Sequence, residues 1–593
     1  MTVYDIKLDN IIHKYFGKNK SLNIENPINL VGKIINDNCI DNTFAIWGGG
    51  EHTENLHKYF SAELKNAEFI IDNNKDLLGK EILGYKVISP EELKNYQIDV
   101  ILISSYAGAL SIKKQIKSLN IKCKVIDFYE ELKKLGVNLE STFYGNPSIY
   151  MDLYDLRKKY EESNEVEEKE NYINKIIYYY LSIRDFDNSK KFINEYISKE
   201  FHKANDFKIL LEEIDSLIQD LKDKISKRNG KDILFMFFDS LRACDVYNNK
   251  ENMIYLNEVL KESLYFTKAY SPSIFTYESM PAVLIESMPF KNSLYKRKTV
   301  TQEECPFIKN ALNNKFKVKI YALNHWKIIE GEDIQYGEES NYASLTFWNG
   351  LCDLAESTEK DTIYILYFFQ ETHPPHICGY HSIKPISHIT PFTCNDNVEQ
   401  SKSEYITQHK ESLKYIDDQM NFYFNIMSSK STKIIFSDHG QIIEQAVQPL
   451  SNIKTLAGWH TLRYHVPLII SGGNIIPERN DKLYSTTNIN EIINGIIDEN
   501  FNITNKKIVE VNFSKINNGV IVDKYKDVGY EDYLYGFKVF LSEDYKLVIT
   551  GNGKIKVYLN SDEFNEVIDN KEREDIVEYF KINGCDFEMP IWQ

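Results

Sequence analysis

The sequence predicts an α/β protein with a central, parallel-rich sheet flanked by helices, preceded by a small α/β unit and a helical spacer. The first observation is a series of continuous apolar segments after Lys231, typical of parallel strands that are buried on both faces. The second is the alternation of short apolar segments with helical segments between residues 40 and 135. The third is the helical spacing of apolar residues between residues 150 and 228. Because cores stop growing near about 250–300 residues, we expect a chain of 593 residues to form several units.

The small unit, residues 40–135, contains four short apolar segments that predict parallel strands. These segments are residues 44–47, 67–71, 99–103 and 124–128. The first runs into three glycines and the second ends at Asp72. Gly48 and Gly50 could let the backbone approach a phosphate, with Asp72 placed for a ribose hydroxyl. The alternative is a tight turn between strand and helix in a scaffold that binds nothing.

Residues 150–228 are predicted to be helical. Residues 172–183 and 190–197 flank a polar turn, and a further run of apolar residues at helical spacing follows, from Leu211 to Ile225. The pair of helices is similar to one hairpin of a helical repeat. A single copy favours the simpler interpretation, which is a helical linker between two units.

The large unit is predicted to span residues 231–560. Its continuous apolar strands are residues 233–238, 318–323, 363–369, 434–436 and 466–470. Near its end, residues 545–550 and 554–558 flank a Gly-Asn-Gly turn and predict a hairpin. Residues 561–593 complete the chain as a helix, near residues 570–580, and a tail.

Charge and composition exclude several classes of function. A net charge of −17 argues against nucleic acid and anionic lipid as main partners. No window approaches the roughly 18 apolar residues of a membrane span, and the first residues lack the apolar core of a secretory signal. The eight cysteines show no CxxC spacing, which favours reduced thiols. We therefore expect a cytoplasmic protein without a transmembrane segment.

Polar residues follow three of the predicted strands at the point where each strand ends. Asp239 follows residues 233–238, Asp438 and His439 follow residues 434–436, and His373 follows residues 363–369. In open parallel sheets, ligands bind at the carboxyl ends of strands. Two carboxylates and an imidazole at such an edge can share one divalent cation. Mixed oxygen and nitrogen ligands favour zinc or manganese over calcium.

Thr276 lies in the segment Ser-Pro-Ser-Ile-Phe-Thr-Tyr-Glu-Ser-Met-Pro, between the first strand end and the others. A metal-bound threonine hydroxyl loses its proton more easily and becomes a nucleophile. A helix starting near Ser279 would direct backbone N–H groups at an anionic ester. Each residue alone also has an ordinary explanation, since Asp239 could cap its strand and Thr276 could be a plain hydroxyl. Their joint occurrence, in order and at strand ends, favours an active site.

The segments FFDSLRACDVY, YIDDQM, IIFSDHG, YHVPLIISG and KLVITGNGKIKVY together resemble the sulfatase-like branch of the alkaline-phosphatase superfamily, from about residue 231 to residue 558. IIFSDHG is the most specific of these motifs. True sulfatases carry Cys or Ser followed by x-Pro-x-Arg, whereas this chain has Thr276 and no arginine at that spacing. Its T-x-x-S-x-P pattern is similar to that of phosphoethanolamine transferases.

This resemblance implies a phospho-threonine intermediate on Thr276 and one divalent metal, zinc in the first place, with manganese or magnesium as alternatives. The implied ligands are Asp239, Thr276, Asp438 and His439. His373 would contact the transferred group, and His460 would be a second such histidine, with His465 as the competing choice. The chain has Asp239 where the transferases usually have glutamate, and we expect it to lack their membrane anchor.

The N-terminal segments WGGGEHTENL and EFIIDNNKDLLGKEILGYKVISPEEL resemble the small Rossmann-like domain of enzymes of surface-sugar biosynthesis. Some of those enzymes bind nucleotide-sugars, so the resemblance implies a nucleotide-sugar as a possible ligand near Gly48, Gly50 and Asp72. Thr53 stands where a full glycine fingerprint would have its last glycine.

Together these features predict a transferase that moves a phospho-substituent, such as phosphoethanolamine or phosphoglycerol, from a donor onto a glycan or glycolipid precursor of the cell surface. A phosphodiesterase or phosphatase, in which water replaces the acceptor, shares the same nucleophile and metal and stays open as an alternative. A sulfatase is disfavoured by Thr276. A non-catalytic binding module is disfavoured because it would have no need of all four candidate ligands.

Overall fold

The computed structural model describes residues 2–17, 27–106, 108–135, 137, 149–248, 251–322, 327–338, 340, 342–358, 360–368, 371–372, 398–442, 458–515, 525–526 and 529–590. The first helix, α1 (Val3–Phe16), has Thr2 as its N-cap, and the Thr2 hydroxyl accepts a hydrogen bond from the backbone N–H of Asp5. Such a cap satisfies a backbone donor that the helix itself leaves unpaired.

The small N-terminal unit is a parallel α/β sheet, as the sequence predicts. Its elements in chain order are α2 (Pro27–Cys39), β1 (Phe44–Trp47), α3 (Glu51–Leu64), β2 (Ala67–Ile71), β3 (Glu81–Ile82), β4 (Tyr85–Ile88), β5 (Val100–Ile103), α4 (Ala109–Ser118), β6 (Lys124–Asp127) and α5 (Phe128–Lys134). The strand order is β3-β4-β2-β1-β5-β6, and only the β3–β4 pair is antiparallel. The sequence analysis predicted the four parallel strands β1, β2, β5 and β6 but not β3 and β4.

Four helices follow: α6 (Ile149–Glu162), α7 (Val166–Ser182), α8 (Phe186–Ser198) and α9 (Ala204–Ser226). Their buried side chains share one hydrophobic core with α1 and with one face of the large sheet. Leu217 and Leu221 of α9, for example, belong to the same cluster as Leu234 and Met236 of the sheet. The interpretation of residues 150–228 as a linker is therefore incomplete, because these helices cover the sheet.

The large unit contains most of the remaining elements. In chain order they are β7 (Asp232–Phe238), α10 (Ala243–Tyr247), α11 (Ile254–Val259), β8 (Ser263–Phe266), β9 (Ala269–Tyr270), α12 (Thr276–Leu284), β10 (Val300–Thr301), α13 (Pro306–Asn313), β11 (Lys317–Tyr321), β12 (Ile329–Glu330), β13 (Ile334–Tyr336), α14 (Ala343–Glu356), β14 (Thr362–Phe368), α15 (Val398–Phe424), β15 (Thr432–Ser437), β16 (His465–Val466), β17 (Leu468–Ser471), β18 (Glu478–Asn480), β19 (Tyr484–Ser485) and α16 (Ile489–Asp498).

Eight of these strands form the central sheet in the order β13-β11-β14-β7-β15-β17-β8-β18. All neighbours are parallel except where β17 pairs with β15 and β8. Alternate residues of β7 enter different cores: Leu234 and Met236 face the helices, whereas Phe235 and Phe237 face α12, α13 and α16. Burial on both faces explains why the strand reads as a continuous apolar run. The predicted fold class is confirmed.

The last unit is a four-stranded antiparallel sheet of β20 (Val509–Phe513), β21 (Phe537–Leu541), β22 (Tyr545–Thr550) and β23 (Ile555–Leu559), followed by α17 (Asn570–Ile582). β22 and β23 form the predicted hairpin. Ile576 and Phe580 of α17 pack on Leu547 and Val557 of the hairpin. Within the described part of the chain, no helix combines the length and apolar character needed to cross a membrane.

Candidate active site

Asp239 and Asp438 follow adjacent strands at the carboxyl edge of the central sheet. β7 ends at Phe238 and β15 ends at Ser437, and these two residues are paired in register. Ser240 then turns the chain with a positive φ of 63° and donates its backbone N–H to Oδ1 of Asp438 at 3.1 Å. The parallel register therefore places both carboxylates side by side.

Asp239, Asp438 and His439 form one compact, buried cluster. Each residue offers a ligand atom, and these atoms lie within 4.8 Å of one another. Nε2 of His439 lies 3.7 Å from Oδ2 of Asp438 and 3.9 Å from Oδ1 of Asp239. The structure thus brings together the three residues that the sequence suggested as metal ligands.

The imidazole of His439 presents Nε2 to the carboxylates because its other nitrogen is engaged. Nδ1 lies 2.9 Å from the carbonyl oxygen of Gly440, to which a protonated Nδ1 donates. Burial lowers the pKa of His439, which favours the neutral ring. A neutral imidazole whose second N–H is held by a carbonyl is the form in which histidine binds a metal.

Asp438 is held by backbone hydrogen bonds through one of its two carboxylate oxygens. Its Oδ1 accepts the backbone N–H groups of His439 at 2.8 Å and Ser240 at 3.1 Å, while Oδ2 is buried with no hydrogen bond among the described residues. Burial, followed by the charge of Asp239, raises the pKa of Asp438 well above its usual range. Two buried carboxylates repel each other unless a cation or a proton lies between them. The donor set and the unsatisfied Oδ2 therefore fit a divalent metal ion.

Thr276 is the first residue of α12, and its hydroxyl lies beside the cluster. Its Oγ1 is 3.2 Å from Oδ2 of Asp239 and 3.1 Å from Nε2 of His439. One turn later, the Ser279 hydroxyl donates to the carbonyl oxygen of Asp438 at 2.5 Å. This bond fastens the first turn of α12 to the strand end, which gives the Thr-x-x-Ser spacing a structural reason.

Glu278 fastens the same turn to the C-terminal sheet. Its carboxylate accepts hydrogen bonds from the Ser273 hydroxyl at 2.9 Å and from the Ser514 backbone N–H at 3.3 Å. Burial raises the pKa of Glu278 to about 7. Sequence analysis assigned no role to this residue, although it stands inside the Thr-x-x-Ser-x-Pro segment.

Tyr367 is a further site residue that sequence analysis missed. It lies on β14, next to β7, and its hydroxyl donates to Oδ2 of Asp239 at 2.7 Å. In the sequence it is one aromatic residue within an apolar strand, so only the pairing of β14 with β7 reveals its contact.

His373 lies outside the described residues, so the role predicted for it stays a prediction. The two residues before His373 are described and buried. Glu371 accepts hydrogen bonds from the Tyr150 hydroxyl at 2.7 Å and from the Ala343 backbone N–H at 2.9 Å. Burial raises the pKa of Glu371 to about 7.

The contacts of His460 run towards the C-terminal part of the chain. Its Nε2 lies 4.0 Å from Oε1 of Glu563, and its ring packs against Phe564. His465 lies nearby, with Nε2 at 2.8 Å from the carbonyl oxygen of Thr267. Both histidines line a cavity of about 890 Å³. Contact of His460 with a substrate stays a prediction.

The N-terminal glycine loop is tightly built. Gly48 has φ +118°, and a Cβ there would lie 2.6 Å from the carbonyl oxygen of Ser104. Gly50 precedes α3 and has open space around it. Asp72 accepts the backbone N–H of Gly49 at 2.6 Å, so it braces the loop in this structure. Nucleotide binding by Gly48, Gly50 and Asp72 stays a prediction.

One comparison with protein families concerns the small N-terminal unit. A family model described as C2185-like, N-terminal, matches residues 40–126, which form the small parallel sheet. No curated protein matches the chain.

Several solved structures are similar to this chain at low identity. A putative sulfatase from Bacteroides thetaiotaomicron is 14% identical with a TM-score of 0.45, over 60% of this chain and 91% of that one. A phosphonate monoester hydrolase from Silicibacter pomeroyi is 9% identical with a TM-score of 0.45, over 60% and 94%. A protein in the alkaline phosphatase superfamily from Vibrio parahaemolyticus is 11% identical with a TM-score of 0.37, over 62% and 95%.

Proposed function

We propose that this chain is a metal-dependent enzyme that acts on phosphate esters, with Thr276 as its nucleophile. The observation that carries the proposal is the position of the Thr276 hydroxyl, 3.2 Å from Asp239 and 3.1 Å from His439, in a buried cluster of carboxylates and imidazole. A hydroxyl in that place is held against the residues that could bind a cation.

Asp239, Asp438 and His439 would hold the metal, with Thr276 beside it. When bound there, a divalent cation would lower the pKa of the Thr276 hydroxyl and offset the negative charge of the ester. The hydrogen bonds that Asp239 accepts from Tyr367 and Ser240 fix the orientation of its carboxylate. Such outer contacts set the geometry of metal ligands.

In the first step, the Thr276 oxygen attacks phosphorus as its proton passes to water. An O–P bond forms, and the bond between phosphorus and the leaving oxygen breaks, with that oxygen taking up a proton from His373 or from water. Because Thr276 begins α12, the positive end of the helix dipole faces the phosphoryl oxygens. In the second step an acceptor hydroxyl attacks, the Thr276 O–P bond breaks, and Thr276 regains a proton.

The acceptor that we propose is a glycan or glycolipid precursor of the cell surface, and the group transferred is a phospho-substituent such as phosphoethanolamine or phosphoglycerol. The Thr-x-x-Ser-x-Pro segment, with Ser279 bonded to Asp438, supports this choice over a sulfatase, whose nucleophile derives from Cys or Ser. The small N-terminal sheet would serve recognition, with a nucleotide-sugar as its proposed ligand. The eight cysteines without CxxC spacing support a reducing, cytoplasmic setting.

A hydrolase with the same first step is the second candidate, because water can replace the acceptor without any change in the site. The cluster of Asp239, Asp438, His439 and Thr276 is the same for both reactions.

Intact-mass measurement after incubation with candidate donors tests the proposal. We expect a mass gain of one phospho-substituent in the wild-type protein and none in Thr276→Ala. If the added mass is lost only when a glycan acceptor is present, the result supports transfer. If it is lost in buffer alone, the result supports hydrolysis. Turnover of a donor without any threonine adduct, also seen in Thr276→Ala, would rule out the nucleophile.

A further inference from the structure

The short segment of residues 458–464 packs directly against Gly440, which follows Asp438 and His439 at the end of β15. The backbone N–H of Gly440 donates to the carbonyl oxygen of Arg463 at 2.9 Å. A Cβ on Gly440 would lie 2.2 Å from the carbonyl oxygen of Leu462. Only glycine allows this approach, because any side chain at position 440 would overlap the backbone of the segment.

Arg463 extends from this segment towards the nucleophile. Its Nη2 donates to the carbonyl oxygen of Ile274 at 3.4 Å, two residues before Thr276. Its backbone carbonyl accepts the N–H of Gly440, the residue after His439. Arg463 therefore lies between the segment that leads to Thr276 and the residue that follows His439.

A second arginine near the site serves a different purpose. Arg242 is buried and forms a bidentate ion pair with Asp245, with Nε at 2.9 Å and Nη2 at 2.5 Å from the carboxylate oxygens. This pair fixes the start of α10. The side chain of Arg463 instead donates to the main-chain carbonyl of Ile274, in the segment that leads to Thr276.

The segment that carries Arg463 is anchored by a buried ion pair of the C-terminal sheet. Lys546, fully buried on β22, pairs with Glu563 and donates to the carbonyl oxygen of Trp459 at 3.0 Å and to the Thr461 hydroxyl at 2.9 Å. Glu563 in turn accepts the backbone N–H of Thr461 at 2.6 Å. A buried pair is tolerated only when further hydrogen bonds satisfy it, and here those bonds all go to this segment.

We propose that Arg463 binds the negatively charged phosphoryl oxygens of the substrate at Thr276, and that the Lys546–Glu563 pair positions it. This inference rests on the proposed function. Arginine suits the role because it stays charged and its planar fork matches phosphate oxygens. Lys546 and Glu563 act through Arg463 and are positioning residues.

The experiment compares Arg463→Gln and Arg463→Lys with the wild-type protein, all loaded with metal. Calorimetry measures the binding of inorganic phosphate, and steady-state kinetics follow a phosphodiester with one negative charge and a phosphomonoester with two. Arg573→Gln is the matched control, because Arg573 lies on α17, pairs with Glu566 and is not among the residues that line the cavity of His460. We expect Arg463→Gln to weaken phosphate binding at least tenfold and to lower kcat/KM about 10²–10³-fold. Metal content should be unchanged, Arg463→Lys should fall between, and the control should match the wild type.

Failure of the inference and failure of the proposed function give different results. If phosphate binding depends on Arg463 but no ester is turned over, the result would support the anion site and contradict the proposed function. Turnover with equal phosphate affinity in wild type and Arg463→Gln would overturn the inference alone, and so would a wild-type protein that binds no phosphate.

The positioning role has its own test in Glu563→Gln, which keeps the shape of the side chain. We expect a several-fold loss of phosphate affinity without loss of metal. Combining Glu563→Gln with Arg463→Gln should add little to the loss, because both act on one contact. Additive losses would mean that Glu563 stabilises the fold without directing Arg463, and would contradict this part of the inference.

Discussion

The hydroxyl of Tyr367 donates a hydrogen bond to Oδ2 of Asp239 at 2.7 Å, and the Thr276 hydroxyl approaches the same oxygen at 3.2 Å. The other oxygen, Oδ1, accepts a hydrogen bond from the Ser240 hydroxyl at 2.8 Å. The carboxylate of Asp239, directly after the end of β7, is therefore contacted by three hydroxyl groups.

Removing the Tyr367 hydroxyl should weaken metal binding without unfolding the protein. In Tyr367→Phe the ring still fills the core, but Asp239 loses one of the bonds that orient it, so we expect a loss of metal affinity of about 10–100-fold. Titration against a competing chelator measures it. Tyr364→Phe is the control, because Tyr364 lies on the same strand and bonds to Asp353. Equal metal affinity in Tyr367→Phe and wild type would show that Tyr367 does not orient the ligand.

Thr276→Ala should abolish turnover of a phosphodiester while the fold and the metal content remain. The change removes the attacking oxygen but none of the three residues of the ligand cluster. Thr276→Ser should retain part of the activity because a hydroxyl remains. Turnover by the alanine variant at the wild-type rate would assign the nucleophile to another group.

Glu371 should make the stability of the protein depend on pH. Burial raises its pKa from 4.5 to about 7 in the folded state. Between these values the folded state binds more protons than the unfolded state, so stability is fully present below 4.5 and is lost as pH rises through 7. Glu371→Gln keeps an acceptor for Tyr150 and carries no charge. We expect similar melting temperatures for variant and wild type at pH 5 and a higher one for the variant at pH 8. A constant difference at both values would contradict the assignment.

The glycine loop of the N-terminal unit should respond differently at its two outer positions. Gly48→Ala places a Cβ 2.6 Å from a main-chain oxygen at a positive φ of 118°, so we expect a loss of about 1–3 kcal/mol in the stability of this unit. Gly50→Ala meets nothing within 4 Å and should be tolerated. Hydrogen exchange of the strands β1 and β5 measures both. Equal effects of the two changes would contradict this account of the loop.

Removing the helices should harm the large unit. A chain that begins at Lys231 lacks α1 and α6–α9, whose side chains share a core with Leu234, Met236 and Phe238. Exposing that face should cause aggregation. A chain in which residues 27–137 are replaced by a short linker should stay soluble and keep its metal, because that unit has its own cores. A soluble, monomeric fragment from residue 231 would show that the helices are dispensable.

Several features of this protein could be predicted from the sequence alone because they depend on local patterns. Continuous apolar runs identify β7, β14 and β15, since strands covered on both faces need apolar residues throughout. The Gly-Asn-Gly turn identifies the β22–β23 hairpin. The positions of Asp239 and Asp438, each just after a predicted strand, indicate that they are neighbours, because parallel strands bring their carboxyl ends to one edge.

Other features depend on which segments meet in space, and the sequence does not state this. The contact of Tyr367 with Asp239 requires that β14 pair with β7 in a given register. The contact of Arg463 with Ile274, two residues before Thr276, requires that segments from distant parts of the chain pack together beside Gly440. The role of α6–α9 as a cover follows from their docking on the sheet, whereas their amphipathic pattern fits a linker or a cover equally well. Local periodicity determines which elements form and which side chains end a strand, and long-range packing alone decides which of those side chains become neighbours.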